Sequence, residues 1–100
     1  MLNITKKQEG GALTVLLEGR LDTNTAPEFQ REVEPMLSGI TGLTLDLEKL
    51  DYISSAGLRV LLVFEQEMEA QDKTMQLCHV NEIIHDVFDV TGFLEILTIV

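Results

Sequence analysis

The feature that most restricts this chain is a hydrophobic period that changes repeatedly within 100 residues. Period-two stretches alternate with period-3.6 stretches, the pattern of strands interleaved with helices in an α/β fold. Leu13, Val15 and Leu17 alternate with Thr14, Leu16 and Glu18, which predicts a strand over residues 12–20 with one strongly apolar face. Residues 2–8 read as a weaker strand, and Glu9-Gly10-Gly11 supplies the short turn of an antiparallel hairpin. Thr25 and Glu28 then stand three apart, as in a capping box, with Pro27 in the first helical turn. Ala26, Phe29, Val33, Met36, Leu37 and Ile40 mark one helical face. Pro35 predicts that this helix kinks or breaks near residues 31–34, because an internal proline clashes one turn back.

Beyond Gly42, Leu43, Leu45 and Leu47 line one face of a central strand that Leu50 to Ile53 carry into Ser54-Ser55-Ala56-Gly57. A helix follows, apolar on nearly every side from Leu58 through Phe64 and then acidic at Glu65, Glu67 and Glu69, which reads as a solvated end. Gln71-Asp72-Lys73 is a loop and residues 74–80 the next strand. Asn81 is placed to cap a third helix with Ile83, Ile84, Val87 and Phe88 as its buried stripe, and Gly92 to stop it. Residues 94–100 suggest a last edge strand. The whole, residues 1–100, is expected to be one domain with a radius of gyration of roughly 13 Å.

Composition narrows the function classes. Seventeen acidic residues against seven Lys and Arg give a formal charge of −10, which disfavours nucleic acid and anionic membranes and suits a partner with a basic surface. A single cysteine, Cys78, excludes an internal disulfide and any zinc site built on two or four cysteines. Cys78 and His79 are adjacent, so in a strand they point to opposite faces and form no dyad, and His79 and His85 lack a matching third ligand. No metal or cofactor is expected, and with no Walker loop, nucleotide-binding glycine fingerprint or acid–base pair of convincing spacing, neither is an enzyme. No apolar run follows Lys6 and Lys7 to act as a signal peptide, and none approaches the ~20 residues of a membrane span, so the expected location is the cytoplasm.

The segment with chemical content is Asp51-Tyr52-Ile53-Ser54-Ser55-Ala56-Gly57-Leu58-Arg59-Val60-Leu61-Leu62. A strand leads to two serines immediately before a helix, and Ser54 or Ser55 occupies the N-cap. Ser55, Ala56 and Gly57 are small and leave the helix N-terminus uncovered, where N–H groups and the helix dipole favour an anion such as a phosphate. Two readings stand side by side: serines that only cap a helix, and a phosphate site.

These residues also carry a resemblance. Tyr52-Ile53-Ser54-Ser55-Ala56-Gly57-Leu58-Arg59-Val60-Leu61 resembles the signature of STAS domains of the anti-sigma factor antagonist group. Gly19-Arg20-Leu21-Asp22 followed by Thr25-Ala26-Pro27-Glu28-Phe29 is similar to a second block of that family, and the strand–helix order matches over essentially the whole chain. The resemblance implies a mixed β-sheet of four to five strands, the first antiparallel, with helices mainly on one face. It implies a protein that is not an enzyme but binds an anti-sigma factor serine kinase, is phosphorylated by it, and is dephosphorylated by a serine phosphatase. Many members read Asp-Ser-Ser/Thr-Gly at this position. Aligning their glycine on Gly57 makes Ser55 the phosphoacceptor, with Ser54 in place of the aspartate and Ala56 in place of the second hydroxyl. Asp22, Ser54, Ala56, Gly57 and Arg59 become the expected partner-binding residues. The alternatives are a constitutive STAS subunit of a larger assembly, such as a lipid-transport ATPase, and a small-ligand or nucleotide-binding module.

Overall fold

The computed structural model describes residues 1–100. Four strands, β1 (Leu2–Glu9), β2 (Ala12–Leu21), β3 (Gly42–Ile53) and β4 (Thr74–Cys78), form one sheet in the order of the chain. β1 pairs with β2 antiparallel, and β2–β3 and β3–β4 are parallel, so the sheet is mixed. The parallel connections carry α1 (Ala26–Val33) with a 3₁₀ segment (Glu34–Gly39), and α2 (Ser55–Ala70); α3 (Glu82–Thr91) and a short 3₁₀ turn (Phe93–Glu95) follow β4. The α/β expectation holds, and the radius of gyration is 12.3 Å.

Alternation builds the core. Leu13, Val15, Leu17, Leu43, Leu45, Leu47, Met75 and Leu77 are buried, as are Phe29, Val33, Leu61, Phe64, Met68, Ile84 and Phe88 of the helices. Phe29 of α1 meets Phe64 of α2 edge to face at 5.1 Å between ring centroids, a favoured aromatic geometry. The intervening strand residues, Thr14 and Leu16, Thr44 and Asp46, Gln76 and Cys78, are only partly buried on the opposite face. One face of the sheet is therefore covered by helices, and the other is left without a helical layer.

β3 departs from strict alternation. It runs twelve residues beside the ten of β2, and the register slips twice, between Leu16/Glu18 and Gly19/Arg20. Each slip adds a residue to β3, so its core positions after Leu47 fall at Leu50 and Ile53, three apart instead of two. The Asp46 carboxylate meets the first irregularity by accepting from the Glu48 N–H at 3.1 Å.

Several expectations are corrected. Thr25 and Glu28 form no capping box: Thr25 already has helical backbone angles and its hydroxyl turns back to the strand, donating to the Arg20 carbonyl at 2.8 Å. The helix does break before Pro35, ending at Val33 and continuing as the 3₁₀ segment. Glu65 and Glu67 are half-buried rather than a solvated end, and only Glu69 is exposed. Burial raises the pKa of both Glu65 and Glu67, with Glu69 adding to the first and Glu34 to the second. On α3, Ile84 and Phe88 are buried but Ile83 is 63% exposed, so the buried stripe is narrower than its sequence suggests. The expected final strand is reduced to one parallel bridge, Leu77 with Ile99, because the 3₁₀ turn and the burial of Leu97 consume the residues before it.

Candidate functional site

The carboxyl ends of β2 and β3 lie side by side, and the loops leaving them start α1 and α2. The Ser54 N–H donates to the Leu21 carbonyl at 2.9 Å and joins the two exits. Ser54 is extended (φ −95°, ψ 175°) and its Oγ accepts from the Gly57 N–H at 3.3 Å, so it is the N-cap of α2. Ser54 caps; Ser55, the first residue of the helix, is exposed and its hydroxyl makes no hydrogen bond within the chain.

Gly57 is buried, which corrects its expected place on the docking surface. A Cβ there would stand 2.8 Å from Leu21 Cγ, 2.9 Å from Ile53 Cγ1 and 3.0 Å from the Leu21 carbonyl. The glycine therefore lets α2 start close against the ends of β2 and β3, and it acts on Ser55 only by setting where the helix begins. Ala56 is half-buried and Arg59, one turn on, is exposed.

An open groove of about 780 Å³ runs between α1 and α2, lined by Thr23, Ala26, Pro27 and Gln30 on one side and Ser55, Ala56, Arg59, Val60 and Val63 on the other. Ser55, Ala56 and Arg59 thus lie on one wall of the groove. Asp22 and Ser54 lie behind them in the framework rather than on the lining. Asp22 Oδ1 accepts from the Asn24 N–H and the Thr25 N–H, both at 3.0 Å, and its own N–H donates to Thr25 Oγ1 at 2.8 Å. The Thr25 N–H is the main cause holding the Asp22 carboxyl below its ordinary pKa, with the Asn24 N–H and the Thr25 hydroxyl adding to it against partial desolvation. Asp22 is in effect the loop's own cap.

Arg20 and Tyr52 were not legible as a pair. They are register neighbours on β2 and β3 after the second slip, with the guanidinium 4.2 Å from the ring centroid and its Nε 3.8 Å from Asp22 Oδ2. A cation and an aromatic near adjacent strand ends are visible in the sequence, but their pairing depends on the bulges. Tyr52 is 40% exposed, so the cation–π pair extends the surface beside the Asp22 loop.

A second constellation overturns an expectation. β4 ends at Cys78 and His79 has a left-handed backbone (φ +54°), so the two side chains do not point to opposite faces as they would in a strand. His79 Nδ1 lies 3.0 Å from Asp46 Oδ2, and this hydrogen bond, followed by the charge of Asp46, raises the imidazole pKa. Burial raises the Cys78 thiol, with Asp46 and Glu48 adding to it.

Comparison with known proteins agrees with this fold. A Bordetella bronchiseptica protein, BtrV, whose name places it among anti-sigma factor antagonists, is 32% identical over 96 residues, 95% of this chain and 83% of its own. The unphosphorylated form of the anti-sigma factor antagonist SpoIIAA has the same fold, with a TM-score of 0.85 at 17% identity over 98% of this chain and 88% of its own. The phosphorylated form of SpoIIAA from Bacillus superposes with a TM-score of 0.79 at 17% identity, covering 98% and 91% of the two chains. No helix is long and apolar enough to cross a membrane. The STAS domain profile matches residues 3–100, and the chain belongs to the STAS domain family.

Proposed function

We propose that this chain is an anti-sigma factor antagonist, a protein-binding module that regulates transcription indirectly and is switched by phosphorylation of Ser55. The observation that carries the reading is the division of labour between the serines: Ser54 is consumed by the cap, whereas Ser55 is exposed, uncommitted and on the edge of the α1–α2 groove. The partner is an anti-sigma factor serine kinase that seats on this groove and on Arg59, and a serine phosphatase restores the free hydroxyl. BtrV carries the antagonist name and SpoIIAA exists in phosphorylated and unphosphorylated forms, which supports the same role here.

The switch follows from charge. A phosphate adds roughly −1.5 to −2 charges at neutral pH. The free helix N-terminus tolerates it, because the first-turn N–H groups and the dipole are favourable to an anion, so the fold changes little. Against a docked partner the same group must lose its water and displace a close contact. A loss of about 2.8 kcal/mol weakens binding a hundredfold, enough to dissolve a micromolar complex at cellular concentrations.

Two measurements test the proposal. Ser55→Asp should bind the cognate kinase at least about a hundredfold more weakly than the wild type while unfolding at the same temperature. Protein recovered from its own cells should carry one phosphate on the peptide that contains Ser55. Equal affinity of Ser55→Asp, or a phosphate placed elsewhere, overturns the assignment of Ser55; a partner held identically in all forms would instead indicate a constitutive subunit.

A further inference from the structure

We propose that Asp46, Cys78 and His79 form a binding site for one zinc-class divalent cation, on the side of the sheet that the helices leave open. The ligand atoms of the three residues all lie within 4.8 Å of one another. A tetrahedral zinc ion with bonds of about 2.0–2.3 Å holds its ligands roughly 3.3–3.8 Å apart, so closure needs a movement of about 1 Å. His79 Nδ1 and Asp46 Oδ2 are already 3.0 Å apart and must separate slightly, while the Cys78 sulfur closes in.

The fold fixes the donors independently of any ion. Asp46 and Cys78 are register partners on the parallel pair β3–β4 and both are half-buried on the same face. His79 joins them because its left-handed backbone returns the ring over β3. Asp46 is oriented from behind, since Oδ1 accepts from the Glu48 N–H and leaves Oδ2 toward the site, the kind of supporting bond that metal-binding carboxylates use. The His79 side chain is 61% exposed and Asp46 16%, so the ring is free to adjust and the fourth position faces water. Thiolate, imidazole and carboxylate together select zinc, cobalt or nickel over magnesium or calcium, which prefer all-oxygen shells. On binding, the thiol proton leaves to solvent, and the ion replaces the proton at His79 Nδ1, which passes to solvent and leaves a neutral ring protonated at Nε2. Occupancy would pin the β4–α3 connection to β3, two residues before Asn81 begins α3.

The test is a cobalt titration of the reduced, tag-free chain. The wild type should bind one cobalt per chain with a thiolate-to-cobalt charge-transfer band and tetrahedral ligand-field bands, and stoichiometric zinc should displace it. Cys78→Ser should lose the charge-transfer band. His79→Ala and Asp46→Asn, at exposed or half-buried positions that leave the core intact, should weaken zinc binding by at least about tenfold. His85→Ala, outside the cluster, should bind as the wild type does. Absence of the charge-transfer band, equal binding by Cys78→Ser or His79→Ala, or equal competition by magnesium or calcium overturns the proposal.

Discussion

Two helices, α2 and α3, leave parallel strands of one sheet and open on a polar N-cap, yet the two beginnings are built differently. At α3 every polar atom of the Asn81 side chain is committed: Oδ1 accepts from the Ile84 N–H at 3.0 Å, and Nδ2 donates to the Leu50 carbonyl at 2.8 Å and the Leu47 carbonyl at 3.3 Å. Those carbonyls belong to the irregular half of β3, so one amide both starts a helix and satisfies a bulged strand. At α2 the cap is a single 3.3 Å bond from Gly57 to Ser54, and the next residue presents a free hydroxyl to solvent. The loop before α1 is also tied down by its own side chains, because Asp22 Oδ1 accepts from the Thr25 N–H while Thr25 Oγ1 accepts from the Asp22 N–H and donates to the Arg20 carbonyl. Of three helix beginnings, two have their leading side chains engaged in hydrogen bonds and one leaves a hydroxyl outside. The proposed phosphorylation and docking both fall at the open one.

The largest effect should come from breaking the closed end. Asn81→Ala removes the α3 cap and leaves two β3 carbonyls without their donor, a loss of about 2–3 kcal/mol. For a chain of this size that lowers the midpoint of thermal unfolding by roughly 10 °C or more. Partner binding at a temperature where the variant is folded should be unchanged, since Asn81 does not line the α1–α2 groove. A shift below a few degrees would mean that the amide's three bonds are not what holds α3 to the sheet.

Smaller effects should separate the two serines. Ser54→Ala removes one long cap bond and should cost about 0.5–1 kcal/mol of stability while Ser55 remains a substrate for the kinase. Ser55→Ala breaks no hydrogen bond and should lie within about 0.5 kcal/mol of the wild type, yet abolish phosphorylation. Chemical denaturation paired with a kinase assay on both variants checks this. A stability loss at Ser55 larger than that at Ser54 would reverse the roles assigned to them.

The same contrast explains what could be read from the sequence. Strand alternation and the helical stripes carried the sheet, the three helices, the break before Pro35 and the Asn81 and Gly92 boundaries, because each rests on local periodicity or local capping. The Ser54-Ser55-Ala56-Gly57 turn was legible as a helix start but not as a division of roles, since that depends on which backbone is extended. Three features resisted for a common reason. The bulges of β3, the Arg20–Tyr52 pair and the Asp46–Cys78–His79 cluster all depend on register between distant segments, and His79 adds a left-handed turn that no glycine or asparagine announces. Ile83 misled because an apolar residue adjacent to a buried stripe satisfies the periodicity almost as well as one inside it.

The smallest and most specific effect concerns pH at the start of α1. The Asp22 carboxylate is stabilised in the folded chain chiefly by the Thr25 N–H, so its folded pKa lies below its unfolded value, close to 3.8. The sign follows from linkage: the unfolded chain binds this proton more readily, so the carboxylate's contribution is complete above that unfolded value and is lost as pH falls through the folded one. Asp22→Asn keeps an acceptor oxygen for the Asn24 and Thr25 N–H groups but removes the charge. The wild type should therefore be slightly more stable than the variant at pH 7, and the gap should close as pH is lowered below 3.8. Glu65 supplies the opposite case, because burial raises its pKa above 4.5 and its ionised form opposes folding. Glu65→Gln should raise the unfolding midpoint at pH 7, and that gain should vanish as the pH falls through the folded pKa to below 4.5. Unfolding of the two variants and the wild type across this pH range would show the two gaps, opposite in sign at pH 7, both closing toward low pH. A gap for Asp22→Asn that is constant with pH would mean that the loop is held by the geometry of its acceptor and not by its charge.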